Sequence, residues 1–377
     1  MNFIRSTESL LSVSDTKQQI METTLTNKQR TIIFWASFLA LMACGVGFGI
    51  RVMSVPIWEK EFSIGNADAM GLFGSSMWPI AVGMILFSLV VDKIGYKISM
   101  VIAFLCIGGS SFFTLQAKDF DSLKYAFLIF GFGHGIVEAV INPLCATMYK
   151  DQKSKMLNIL HASWPAGAAL GAVVFLLLGT GESPALEWRQ MFWFVLIPAV
   201  LFGIGFIISH KYPQDERVEN NVSYVDMLRE FGGLGIFLAT TFLVYELGGV
   251  FGFFGDNGTI TKDGTDRLLI CLATGATAGL VSGFALKAKG KLLFFFLCLI
   301  MIPLATAEIA TDGAIRKLME PMLKAEYSLD SGWAIVFSSI IMMVLRFFAG
   351  VPLKFMSPLT LLIVSSIFSI AGLFMLS

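Results

Sequence analysis

Eleven stretches of this chain are apolar over about the 20 residues that an α-helix needs to cross a bilayer. They lie at 31–53, 69–91, 98–116, 125–148, 157–179, 190–209, 233–254, 267–286, 292–312, 332–350 and 359–376. No other feature limits the fold so strongly. In hydrocarbon every backbone N–H and C=O must be satisfied within the protein, and a run of this length does so as a helix. The composition agrees: charged residues make up 14% of the chain, against the roughly 25% that a soluble surface uses. Mean hydropathy is +0.76. Glycine, at 36 positions, suits helices that approach closely in lipid. The sequence therefore predicts an all-α polytopic membrane protein of about eleven crossings. A formal net charge of zero gives no case for a nucleic-acid partner. Cys44, Cys106, Cys145, Cys271 and Cys298 all sit in apolar runs without a C-x-x-C pair; they read as small buried hydrophobes, not as a disulfide or metal framework. No Walker motif appears, which speaks against ATP-driven work, and neither a cofactor nor a metal is expected. The first apolar run is long enough to span and does not resemble a cleaved signal peptide.

Lys and Arg alternate from loop to loop. With residues 1–30 in the cytoplasm, the inside segments carry Lys93 and Lys97; Lys150, Lys153 and Lys155; Lys211, Arg217 and Arg229; Lys287, Lys289 and Lys291; and Lys354. The opposite loops are acidic or mixed, as in "EKEFSIGNAD" and "TGESPALEWRQ". The positive-inside rule then puts the protein in the cell (inner) membrane, multi-pass, with a cytoplasmic amino terminus. An Asn-Gly-Thr sequon at Asn257 falls on an outside loop and carries no weight in a single sequence. The polar stretch 210–232 reads as a cytoplasmic linker after a six-helix bundle at 31–209. Residues 233–290 read as two extra transmembrane helices, and 291–377 as the first three helices of a second bundle, apparently incomplete. A faint internal repeat supports this division. "SLVVDKIGYKIS" joins crossings two and three, and "GVPLKFMSPLT" joins ten and eleven, each a tight inside turn with a central Lys. Such symmetry is a mark of secondary transporters. The sequence stops directly after an apolar run, so a carboxy-terminally incomplete product or a fragment of a fourteen-helix transporter is expected, with a natural eleven-helix protein as the alternative.

Two motifs carry a resemblance. In "SLVVDKIGYK", Asp92, Lys93, Gly95 and Lys97 match the loop between helices two and three of the major facilitator superfamily. Gly95 permits the turn, Asp92 stands at a helix end, and the two lysines suit an anionic leaflet. Further on, "EAVINP" and "LNILHASWPAG" resemble helices four and five of the fucose:proton symporter group of that superfamily, through Glu138, Asn142, Pro143, Leu157, Asn158 and Gly167. The resemblance implies a proton-coupling role for Glu138 and a substrate contact for Asn158. His161 stands where the group has Gln. The group's Asp, four residues before a Pro late in helix one, is missing. Val52 has that offset from Pro56, and Arg51 precedes it.

Ionisable side chains in the crossings cost about 2.5–3.5 kcal/mol each at mid-membrane, so Arg51, Glu138, Glu246, Glu308, Asp312 and Arg346 each require a partner or a use. His134, Glu138 and Asn142 recur every four residues and stack on one helix face. They read as a protonatable strip, with helix–helix hydrogen bonding as the plain alternative. Arg51, placed at the outer end of crossing one, is either a counter-charge to Glu138 or to an anionic substrate, or an interfacial snorkel. Asn158, His161 and Trp164 on crossing five could bind a polyol, the Trp by stacking. Glu308 and Asp312, again four apart, would contribute from crossing nine if it repeats crossing one, with exposure at the interface as the alternative. Gly131/Gly135, Gly167/Gly171 and Gly275/Gly279/Gly283 mark close helix contacts.

These residues predict a secondary active transporter that moves a small polar solute, by resemblance a sugar, by alternating access with proton rather than sodium coupling. It is expected to act as a monomer in the lipid bilayer. The competing classes are an intramembrane metal-dependent enzyme built on His134, Glu138 and His161 and a non-transporting sensor of the same fold.

Overall fold

A computed structural model describes residues 25–180, 184–214, 216–250 and 265–376. Asn257 and most of the amino-terminal segment lie outside the described residues. Among the described residues thirteen α-helices are nine residues or longer: α1 (Asn27–Glu61), α2 (Asn66–Gly74), α3 (Trp78–Ile94), α4 (Tyr96–Gln116), α5 (Phe120–Met148), α6 (Lys153–His161), α7 (Ser163–Leu178), α8 (Trp193–Ile208), α9 (Tyr224–Val250), α10 (Thr265–Leu286), α11 (Leu292–Tyr327), α12 (Trp333–Phe347) and α13 (Pro358–Leu376). Among the described residues ten segments are helical, long and apolar enough to cross a membrane, and Leu359–Met375 forms a shorter apolar helix. Over its described residues each of the eleven apolar runs is therefore mainly helical. α2 with α3, and α6 with α7, share one crossing each.

Two helices outrun their apolar cores. α1 continues past Pro56 to Glu61, and α11 runs to Tyr327, through "PIWEKE" and "LMEPMLKAEY". The polar extension of α1 stays helical because it is tied down. Trp58 is fully buried, and Glu61 accepts from Trp188 Nε1 at 2.7 Å and from Arg189 Nη2 at 2.6 Å. Arg189 in turn donates from Nε to the Ala117 carbonyl at 2.7 Å and lies over the Trp188 ring, 4.4 Å from its centroid. One carboxylate thus fastens the end of α1 to the connections that follow α4 and precede α8.

The chain divides into two compact units, 1–216 with 315–377, and 217–314. In the first, α1 crosses α7 with backbone against backbone. A Cβ on Gly49 would lie 2.2 Å from the Ala168 carbonyl oxygen, and one on Gly167 would lie 2.2 Å from that of Met42. α3 and α5 meet in the same way, where Gly135 faces the Ile80 carbonyl. α5 begins at Asp119, whose carboxylate accepts from the Ser122 backbone N–H at 2.8 Å. This N-cap bond, supported by the Ser122 hydroxyl, holds the Asp119 carboxyl below the usual carboxylate range. In the second unit α9 breaks at Gly232 (φ 59°). The N–H groups after the break pair with Ala288 and Lys289 carbonyls at 3.1 and 3.0 Å.

Candidate functional site

α5 carries a face on which Phe130, His134, Glu138 and Asn142 follow at four-residue intervals. The structure joins two of its side chains, Asn142 directly and Glu138 through it, to α6. Asn142 donates from Nδ2 to Glu138 Oε2 at 2.8 Å, and also to the Glu138 backbone carbonyl at 3.0 Å. Its Oδ1 lies 2.8 Å from His161 Nε2, so this ring nitrogen carries the donated proton. One amide therefore links a carboxylate to an imidazole. The other carboxylate oxygen, Oε1, faces His134 Nε2 at 3.8 Å, too far for a direct hydrogen bond. The Glu138 side chain keeps 17% of its surface accessible and His134 8%. The acid is therefore screened but not fully buried.

Arg51 is the main departure from expectation. It lies well inside α1, not at its end, and is 0% exposed. Nothing snorkels. The guanidinium carbon sits 4.1 Å from the centroid of Phe130 and 5.6 Å from that of Phe127. Gly47, one turn back on α1, makes this possible: a Cβ there would lie 2.5 Å from the Phe130 ring and 3.1 Å from Arg51 Nη1. Among the described residues no acceptor reaches Arg51 Nε, Nη1 or Nη2, or His134 Nδ1. Desolvated aromatic faces return about 2 kcal/mol to a cation, against several for taking it out of water. Cys44, buried two turns earlier on α1, is within electrostatic reach of both Arg51 and Glu138.

The remaining sequence candidates are placed as follows. The Trp164 indole packs on Phe48, with ring centroids 4.6 Å apart. Asn158 donates to the Ser154 carbonyl one turn back at 2.8 Å, not to the strip. Glu308 and Asp312 lie on the part of α11 that belongs to the second unit, with Asp312 buried. In the loop between α3 and α4, Gly95 adopts φ 84° and ψ 153°, a region open essentially to glycine alone. Lys97 Nζ donates to the Ile207 carbonyl at 2.6 Å and so caps the carboxy-terminal end of α8. Among the described residues no three His, Cys, Asp or Glu side chains converge as a metal site; between Glu138 and His161 stands an amide.

Sequence reasoning did not find Phe130 as the platform for Arg51. The signal was available, because Phe130 extends the His134–Glu138–Asn142 register by one turn. Nor did it find Arg316, which donates to the Met53 carbonyl and pairs with Asp330 at 3.4 Å. No local pattern links those positions.

Among the described residues, membrane-length apolar helices joined by a partly buried, hydrogen-bonded polar strip mark a multi-pass membrane protein. Its family follows: the model of the Major Facilitator Superfamily matches residues 36–377, and the chain belongs to that family. It is a secondary transporter. Among solved structures it is similar to the inward-open xylose transporter XylE from E. coli, at 15% identity and a TM-score of 0.46, over 84% of this chain and 80% of that one. It is also similar to a D-xylose-proton symporter, at 16% identity and a TM-score of 0.43, over 84% and 79%. No curated protein matches the chain.

Proposed function

We propose that the protein is a proton-coupled transporter of a small polar solute, in which Glu138 takes up and releases the proton. The observation that carries this reading is the bridge from Glu138 Oε2 through Asn142 to His161. It satisfies one carboxylate oxygen and leaves Oε1, opposite His134, as the atom that gains the proton. Protonation removes a charge from the crossings and lowers the cost of reorienting the loaded protein. Arg51, His161, Asn142, Asn158 and Trp164 are the proposed solute contacts. Asp92, Lys93, Gly95 and Lys97 form the proposed gating loop. Residues 31–209 and 291–377 are the proposed moving bundles, joined by the linker 210–232 and the helices of 233–290. The likeness of α5 to α7 to the fucose:proton symporter group supports a proton as the coupling ion. The lysine distribution supports a cytoplasmic amino terminus in an inner membrane, and we take the monomer as the working unit.

The test is uptake into proteoliposomes under an imposed pH gradient, with a labelled panel of monosaccharides and sugar acids. Glu138→Gln should reduce gradient-driven uptake at least tenfold while exchange at equal pH persists. Gradient-driven uptake unchanged in Glu138→Gln would remove the acid from the coupling step.

A further inference from the structure

Two half-buried arginines of the first unit, Arg189 and Arg316, show what a satisfied guanidinium looks like here. Arg189 holds the Ala117 carbonyl and the Glu61 carboxylate. Arg316 holds the Met53 carbonyl and the Asp330 carboxylate. Arg51 is more deeply buried than either and has neither kind of acceptor among the described residues; it has two aromatic rings instead. His134, one turn along α5 from the platform residue Phe130, also has a buried ring nitrogen, Nδ1, with no partner among the described residues. Two unsatisfied polar groups therefore stand at adjacent levels, one reaching from α1 onto Phe130 and the other one turn along α5. The Arg51 head is laid back along α1 over Gly47, toward the level of His134. From Phe130 to Glu138 the face rises about 12 Å at 1.5 Å per residue. A positive donor array stands at one end of that span and a protonatable acid at the other.

We infer that the transported solute is a small anion, whose oxyanion group, a carboxylate or a phosphate, is held by Arg51 and His134 while its remaining polar groups extend toward Glu138. A planar guanidinium with free N–H groups fits such a group with two parallel hydrogen bonds, and a buried imidazole nitrogen supplies one more. The Phe127 and Phe130 faces hold the head in orientation while the solute is absent. A neutral sugar offers no counter-charge and would leave Arg51 as it is. This inference rests on the reading of the strip as the transport site and narrows its substrate class.

The test needs no knowledge of the natural solute. The full-length protein in liposomes is treated with phenylglyoxal at equal pH on both sides, and modification of Arg51 is followed by peptide mass spectrometry, with Arg189 as the internal reference. The probes are matched pairs, D-glucuronate with D-glucose and D-galactonate with D-galactitol, together with L-lactate and inorganic phosphate. At least one anion should slow Arg51 labelling fivefold or more, with its neutral counterpart without effect and Arg189 unchanged. Protection by the carboxylates but not by phosphate, or the reverse, tells which oxyanion is bound. The inference is overturned if Arg51 is never labelled, if no anion protects it, or if glucose protects as well as glucuronate. Labelling indifferent to every anion but faster in Glu138→Gln would make Arg51 an internal counter-ion of the acid, and would equally overturn it. Because no gradient is applied, protection can persist even if proton coupling through Glu138 fails, so the two readings fall separately.

Discussion

Replacing Arg51 by methionine separates a residue held for binding from one held for stability. The side chain is 0% exposed, a position where truncating a paired charge costs about 3–5 kcal/mol, because the partner is left bare. Arg51 has no such partner among the described residues, so the balance is different. Removing a guanidinium from the crossings recovers about 2.5–3.5 kcal/mol of insertion cost. Against this stand the lost attraction to Phe130 and Phe127, about 2 kcal/mol when desolvated, and the void left by the missing head, on the order of 1 kcal/mol. The sum lies near zero. At roughly 2 cal/mol/K of unfolding entropy per residue, 1 kcal/mol corresponds to about 1–2 °C in a chain of this size. Arg51→Met should therefore melt within about 2 °C of the wild type in detergent, by intrinsic fluorescence, while solute-protected labelling and uptake are lost. A fall of more than about 4 °C would refute the reasoning, since it would mean that the guanidinium is paired in the resting protein.

Two further substitutions test the frame around the strip. Gly167→Val drives a branched side chain into the Met42 carbonyl, which a bare Cβ would already approach to 2.2 Å; α1 and α7 must separate, and overpacking of about 1–3 kcal/mol should appear as a lower melting temperature and weaker uptake together. Gly95→Val places a β-branched residue at φ 84° and ψ 153° and should cost on the order of 1–3 kcal/mol in backbone strain, read as a lower melting temperature that Gly95→Ala shares in milder form.

The fold was legible because each crossing announces itself locally: a run of about 20 apolar residues needs no partner to be recognised. The i, i+4 stacking of His134, Glu138 and Asn142 was legible for the same reason, since helix geometry alone places them on one face. What the sequence could not supply is anything decided between helices. Gly167 and Gly171 were evident as a close-contact face, but that the facing backbone belongs to α1 follows only from packing. The Glu61–Trp188–Arg189 clasp joins groups more than a hundred residues apart. Arg51 shows the limit most clearly. A cation near the end of an apolar run reads as an interfacial snorkel, but α1 runs on to Glu61; the extension is polar by composition and helical by its tertiary contacts, so Arg51 ends up buried.

Placing Arg51 and Glu138 on one transport path accounts for coupling without a dedicated gate. With the histidines neutral, the empty site with an ionised Glu138 has no net charge, the guanidinium offsetting the carboxylate. A bound monoanion together with a proton on Glu138 also has no net charge. The two half-loaded states do not balance: the anion without the proton leaves one negative charge, and the proton without the anion leaves one positive. Carrying an unbalanced charge through the crossings costs about 2.5–3.5 kcal/mol, which slows reorientation on the order of a hundredfold at 1.4 kcal/mol per factor of ten. Only the empty and the doubly loaded protein then turn over at speed, which is what a symporter requires. The Asn142 bridge fits this scheme. It donates to Glu138 Oε2, so on the proposed scheme, with the proton carried on Oε1, it would need no rearrangement as the proton arrives and leaves.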